Sequence, residues 1–117
     1  MISLKRGIFS LSEALLYEKT FSFHAQSQKL LFVGNSLTYT NNIPAILEQI
    51  AENYGKQLEV KMVCFPNYAI IDHLNDGNIQ QLIATEKYDY VIVQQGPSSQ
   101  EEGRKMLIDA GKQLNNL

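Results

Sequence analysis

The chain is poor in the residues that build disulfide frameworks and metal sites. Its 117 residues include one cysteine, Cys64, and two histidines, His24 and His73. A single thiol excludes an intrachain disulfide and any site built from several thiolates. The two histidines stand far apart and form no ligand cluster at metal spacing. We therefore expect no metal ion and no other cofactor.

Excess charge of one sign and long apolar runs are also lacking. The formal net charge of -2 shows no basic excess, so nucleic acid is not an expected partner. No apolar run approaches the roughly 18 to 20 residues of a transmembrane helix, so no membrane span is expected. With 44% hydrophobic and 19% charged residues, the composition predicts one globular domain rather than a disordered chain.

The first 28 residues do not follow a regular pattern. Lys5 and Arg6 are similar to the basic start of a secretory signal, and FSFHAQSQ is similar to its small-residue end. Glu13, Glu18 and Lys19, however, interrupt the apolar core of such a signal. We expect residues 1–28 to be an irregular N-terminal extension, with a degenerate signal segment as the alternative. Secreted, periplasmic and cytoplasmic locations all stay open.

A regular pattern begins at Lys29 and defines the domain 29–117. Residues 29–33 form a continuous apolar run, which predicts a strand buried on both faces of a parallel sheet. A helix follows, with Asn42 as its cap and Pro44 in its first turn. Its apolar stripe consists of Ile43, Ile46, Leu47, Ile50, Ala51 and Tyr54.

The remaining elements repeat this alternation. Residues 58–63 alternate in polarity, which predicts a strand with one exposed face near a sheet edge. Residues 70–86 form a weaker helical region interrupted at Gly77. Residues 88–93 predict a third strand, and Ser99 with Glu102 predicts a capping box at the start of a final helix.

The order β-α-β-α-β-α predicts an α/β fold, with a parallel sheet, right-handed crossovers and helices on both faces. Sites in such sheets lie outside the carboxyl ends of the strands. Three loops meet this condition, 34–41, 64–69 and 94–99. They hold most of the unusual polar and glycine residues of the chain, so we expect the functional site there.

Ser36 is the central candidate in the first of these loops. It follows a buried strand and precedes a helix, where backbone N–H groups favour developing negative charge. A serine needs a base and oxyanion donors to become a nucleophile. Serine and asparagine are also ordinary turn residues, and the Gly-x-Ser-x-Gly elbow is absent. The position of Ser36 alone therefore does not decide whether it is a nucleophile or a turn residue.

The stretch KLLFVGNSLTYTNNIPAIL resembles the first block of the SGNH (GDSL-like) hydrolases, in the variant with Gly-Asn-Ser in place of Gly-Asp-Ser. The resemblance extends over residues 29–117. It implies a flavodoxin-like three-layer α/β/α fold, of which this chain has only the first three βα units. It also implies an ester hydrolase in which Ser36 is the nucleophile and lends its N–H to the oxyanion hole.

The same resemblance assigns two further oxyanion donors. Asn67 stands where the family has a glycine after the second strand, and asparagine tolerates the left-handed backbone better than most residues. Ser98 stands where the family has an asparagine after the third strand, and a hydroxyl can donate one hydrogen bond. The alternatives are a plain turn residue for Asn67 and a helix-start residue for Ser98.

The family's catalytic base is a histidine in an Asp-x-x-His segment, and no such segment occurs up to Leu117. We therefore expect a truncated domain with impaired activity and a third strand that leaves an unpaired apolar edge. His73 is a candidate substitute, because it follows the second-strand loop. The alternative is a histidine that packs on that loop. His24 is given no role.

Three functions follow from these observations. The first is a serine ester hydrolase acting on acyl or acetyl esters of small molecules or carbohydrates. The second is a non-catalytic flavodoxin-like module that binds an anion through Ser36, Thr38, Thr40 and Asn41. The third is a truncated gene product without independent function. The sequence selects neither the ester nor the oligomeric state.

Overall fold

The computed structural model describes residues 2–5, 27–96 and 99–117. The strands and helices, in chain order, are β1 (Ile2–Lys5), β2 (Ser27–Gly34), α1 (Ser36–Tyr39), α2 (Ile43–Asn53), β3 (Gln57–Cys64), α3 (Ile70–Asp76), α4 (Asn78–Thr85), β4 (Tyr90–Val93) and α5 (Glu101–Asn115).

The strands form one sheet in the order β1-β4-β2-β3. β2 pairs in parallel with β3 on one side and with β4 on the other. The three parallel strands and their helices confirm the predicted α/β fold class and are compatible with a partial flavodoxin-like fold. The predicted edge position of the second parallel strand, β3, is confirmed as well.

β1 was not predicted from the sequence. It pairs antiparallel with β4, and Ile2 lies opposite Val93. The expectation that the third parallel strand has an unpaired edge is therefore wrong, because β1 occupies that side. Ser27 and Gln28 also belong to β2 rather than to the N-terminal extension. The remainder of the extension, including His24, lies outside the described residues.

The main core lies on one face of the sheet. Alternate residues of β2 and β4 point to this face, and side chains of α3, α4 and α5 cover them. The cluster comprises Leu31, Val33, Ile70, Ile79, Ile83, Tyr88, Val91, Val93, Ala110 and Leu114. Helix α2 contributes no residue to it and packs along β3, so it lies over the opposite face. The sheet thus has helices on both faces.

The apolar stripe of α2 is only partly used in packing. Leu47 and Ala51 are half-buried, whereas Ile46, Ile50 and Tyr54 are 52%, 49% and 79% exposed. The helix lies over the edge strand β3, so one flank of the stripe remains uncovered. Asn42 precedes the helix, but its backbone is left-handed and its side chain makes no capping hydrogen bond. The predicted Asn42 side-chain cap is therefore wrong.

The predicted break at Gly77 is confirmed, whereas the predicted capping box at Ser99 is not. Gly77 has φ +80°, which ends α3 and begins α4. Helix α5 begins at Glu101, after Gln100, and Gln100 makes no side-chain cap. Ser99 lies one residue further out, and its carbonyl oxygen accepts a hydrogen bond from Arg104 Nη1 (3.0 Å).

Candidate active site at the carboxyl ends of the parallel strands

Three loops begin at the same edge of the sheet. Gly34, the last residue of β2, pairs with Cys64, the last residue of β3. Val33 pairs with Val93, the last residue of β4. The loops after β2, β3 and β4 therefore start side by side, as the parallel topology predicts. This edge is the candidate active site.

Ser36 begins the short helix α1 and is half-buried. The preceding residue, Asn35, has an extended backbone and caps the helix, because its Oδ1 accepts a hydrogen bond from the backbone N–H of Leu37 (3.0 Å). Among the residues that the structure describes, the Ser36 hydroxyl makes no hydrogen bond. Its oxygen is therefore not committed to the turn.

Asn35 joins the first loop to the other two. Its Nδ2 donates to the carbonyl oxygen of Tyr68 in the loop after β3 (3.1 Å). Its backbone N–H donates to Oε1 of Gln94, just after β4 (3.1 Å). Asn35 is only 7% exposed, so water competes little for these contacts. The residue next to Ser36 therefore fixes the three loops relative to one another.

Gln94, which directly follows β4, is the second residue of this network. Its Oε1 also accepts a hydrogen bond from the Thr38 hydroxyl (2.8 Å), and Thr38 is 1% exposed. The orientation of the amide is fixed, because the backbone N–H of Asn35 can only donate and must face an oxygen. Gln94 Nε2 is buried and has no hydrogen-bond partner among the described residues. One amide oxygen thus organises the Ser36 loop, and a buried donor remains unsatisfied beside it.

Gly34 provides the space that this network requires. A Cβ atom at this position would lie 2.6 Å from Gln94 Oε1 and 2.8 Å from Thr38 Oγ1. Both distances are shorter than real Cβ contacts allow, and both atoms are tied by hydrogen bonds. The glycine before Asn35 and Ser36 is therefore required by close packing.

The loop after β3 contains the second predicted oxyanion donor. Asn67 is exposed and has φ +62°, the left-handed conformation that asparagine tolerates better than most residues. Its role as an oxyanion donor stays a prediction. Ser98, the third predicted donor, lies outside the described residues.

His73, the candidate substitute for the base, is buried and contacts the backbone at the end of β2. It is 1% exposed, and its Nε2 lies 2.8 Å from the carbonyl oxygen of Gly34. A carbonyl only accepts, so Nε2 carries the proton and donates it to this bond. The ring packs on Phe65 and on the edge of Tyr68. In this arrangement His73 Nε2 supports the backbone before Ser36 and is not free to accept the serine proton.

We expect His73→Phe to act on stability rather than on Ser36 chemistry. Gly34 O also accepts a hydrogen bond from the Phe65 N–H, so the loss of one donor should cost about 1 kcal/mol of the free energy of unfolding. Urea denaturation measures this cost. A base role would instead appear as a drop of about 10²-fold or more in the reactivity of Ser36, measured on the folded variant.

Among the described residues at this edge, we find neither a thiolate nor a cluster of metal-ligating side chains. Burial raises the pKa of the Cys64 thiol, although hydrogen bonds with Gly34 and Thr38 oppose the shift. The thiol is therefore protonated at neutral pH, and a protonated thiol is a poor nucleophile. Within the described part of the chain, no group of three or more metal-ligating side chains comes together.

Two functional side chains were missed in the sequence. Gln94 holds the Ser36 loop, and Gln95 accepts a hydrogen bond from the Ile70 N–H (3.2 Å) and donates one to Gly103 O (3.3 Å). Both amides follow directly after a buried strand, at the edge where sites of parallel sheets lie. That position was the available signal, because a buried amide there must find partners.

Comparison of the chain with protein-family models, with curated proteins and with solved structures gives no match. The likeness to the SGNH hydrolases therefore depends on the motif around Ser36. No helix among the described residues is long and apolar enough to cross a membrane.

Proposed function

We propose that this chain carries the nucleophile and oxyanion part of an SGNH-type serine ester hydrolase. The observation that supports this most directly is the double anchoring of Asn35. This residue ties the Ser36 loop to the loops after β3 and β4. A nucleophile needs such fixed surroundings, because catalysis depends on donors that already point at the reacting group. A simple turn does not need contacts to two other loops.

In the proposed reaction, Ser36 Oγ attacks the carbonyl carbon of an acyl or acetyl ester. A base takes the hydroxyl proton, and the carbonyl oxygen becomes an oxyanion. Backbone N–H groups of Ser36 and Asn67, with the hydroxyl of Ser98, are the proposed donors. The bond to the alcohol breaks, the alcohol leaves with a proton, and water then hydrolyses the acyl-serine.

The proton acceptor is the part of the reaction that the described contacts do not supply. The Ser36 hydroxyl has no hydrogen-bonded base among the described residues, and His73 Nε2 is committed to Gly34 O. In the proposed reaction, solvent or an added base removes the proton. We therefore expect slow acylation that imidazole in the buffer accelerates.

Activity-based labelling tests this proposal. The chain is incubated with a fluorophosphonate, with and without imidazole, and the adduct is located by mass spectrometry of peptides. We expect one adduct, on Ser36, whose rate of formation rises with imidazole concentration. Ser36→Ala should lose the adduct, and Ser99→Ala, which alters another serine after a parallel strand, should keep it. No adduct on Ser36 in either buffer would contradict the proposal.

A non-catalytic anion-binding module is the second candidate. Among the described residues, the Ser36 hydroxyl has neither a hydrogen-bond partner nor a neighbouring base, and this favours the binding module. Thr38 cannot contribute, because its hydroxyl is committed to Gln94, which leaves Ser36 with the exposed Thr40 and Asn41. Titration with flavin mononucleotide and with inorganic phosphate distinguishes the two functions. Saturable binding without serine labelling would favour the module.

A further inference from the structure

Strand β3 has one long side that no other described strand covers. Within the described sheet it pairs only with β2, and it is eight residues long. An edge strand of this length presents a row of unpaired backbone groups that can pair with another strand. Its interaction potential is independent of the chemistry at Ser36.

The register of the β2–β3 ladder shows which backbone groups of β3 face outward. Gly34 lies opposite Cys64, and the N–H of the next residue, Phe65, donates to Gly34 O (3.3 Å). Odd-numbered residues of β3 therefore bond to β2, because the direction of the backbone groups alternates along a strand. Inside the strand, the outward N–H and C=O groups belong to Leu58, Val60 and Met62, and those of Cys64 lie at its end.

Two opposite charges flank the middle of this row. Glu59 and Lys61 lie on either side of Val60, and their side chains are 66% and 47% exposed. Within the chain, Glu59 lies 3.7 Å from Lys29 and Lys61 lies 3.2 Å from Glu86. Exposed pairs of this kind are weak, so both groups can take a further partner.

We propose that two copies of this chain pair through β3 in an antiparallel arrangement centred on Val60. Val60 then faces Val60 of the second copy, and all the outward groups of the three residues find partners. Glu59 lies opposite Lys61 of the second copy, and Leu58 lies opposite Met62 of the second copy. The two-fold symmetry repeats each of these pairings, so each occurs twice. The two sheets become one continuous sheet with two-fold symmetry.

Charge selects this register over its neighbours. A two-fold axis at Lys61 would place two lysines opposite each other, and an axis at Glu59 would place two glutamates opposite each other. Like charges directly opposite in an antiparallel pair are destabilising, whereas opposite charges stabilise it. The Val60 register is therefore favoured over the two adjacent ones.

The surface beside the carboxyl-terminal half of β3 is grooved. A groove of about 520 Å³ runs along the edge, lined by residues 61–65 of the chain and by Asn78, Gln81, Leu82 and Thr85 of α4. In the proposed register, Gln57 of the second copy lies opposite Val63, next to this groove. Asn78, Gln81 and Thr85 of α4 are polar and can form hydrogen bonds with the side chain of this Gln57.

Sedimentation equilibrium of the full chain tests the proposal. We expect a dimer for the unmodified chain, and weaker association for Glu59→Lys and for Lys61→Glu. Each single change replaces two attractive pairs by two repulsive ones, so the dissociation constant should rise by at least about tenfold. The double variant, Glu59→Lys with Lys61→Glu, restores opposite charges and should restore the dimer. Glu52→Lys, on exposed α2, changes the charge equally and should leave the dimer intact.

A backbone variant provides an independent test. Val60→Pro removes an outward N–H without breaking the β2–β3 ladder, and proline is tolerated on edge strands. We expect a monomer with an unchanged far-ultraviolet circular dichroism spectrum. Three results would overturn the proposal: an unmodified chain that stays monomeric at every concentration reached, a charge-swapped double variant that does not recover, or a dimer that survives Val60→Pro with its fold intact.

Discussion

Gln94→Met is expected to lower the free energy of unfolding by about 2 to 4 kcal/mol. Methionine nearly matches the length of glutamine but offers no strong acceptor. The substitution therefore leaves two buried donors without a partner, the backbone N–H of Asn35 and the hydroxyl of Thr38. Each unsatisfied buried donor costs about 1 to 3 kcal/mol. Removal of the unpaired Nε2 offsets a part of this cost.

Urea denaturation of Gln94→Met and of a matched variant measures the effect. Gln49→Met makes the same chemical change on exposed α2, where the side chain has only a 3.5 Å contact with Asn53. We expect Gln49→Met to change stability by less than about 0.5 kcal/mol. Equal stabilities of the two variants would show that the Gln94 oxygen does not organise the Ser36 loop.

Gly34→Ala is expected to destabilise the fold by about 3 kcal/mol. The added methyl group would overlap Gln94 Oε1 and Thr38 Oγ1, and overpacking in a well-packed interior costs about 1 to 3 kcal/mol. Moving either atom would also lengthen the hydrogen bond between them or the bond to Asn35. We therefore expect the upper end of that range, together with slower labelling of Ser36.

The control for this change is Gly96→Ala, because a Cβ at Gly96 meets no atom of the described residues within 4 Å. It should have little effect on stability. The double variant Gly34→Ala with Gln94→Ala removes one of the two overlapping groups, so its cost should be smaller than the sum of the two single costs. Additive costs would exclude a direct clash between residue 34 and Gln94.

The sequence was sufficient to predict those elements whose structure depends on residues close together in the chain. Continuous or alternating apolar patterns located the three parallel strands, and Gly77 located the break between α3 and α4. The edge position of β3 followed from its alternation. These features depend on residues close together in the chain, where periodicity and backbone preference act directly.

Features that depend on distant partners were not predictable in the same way. The bond between Asn35 and Gln94 joins residues 59 positions apart, and nothing in either local pattern indicates it. β1 was missed because its four residues carry no distinctive pattern and pair with a strand near the other end of the chain. The capping box at Ser99 has the correct residue types, but the helix starts later.

β2 and β4 are neighbours in the sheet but lie far apart along the chain, and this affects the order of folding. β2 and β3 are joined through α2 and can pair after closing a short stretch of chain, whereas β4 must return over about twice that distance. Contacts with larger sequence separation form more slowly, because more chain entropy is lost before they are made. Since Gln94 follows β4, the Ser36 loop gains this second support, in addition to the bond between Asn35 and Tyr68, only after β4 docks. Reactivity at Ser36 would then report the docking of β4 rather than the earlier pairing of β2 with β3.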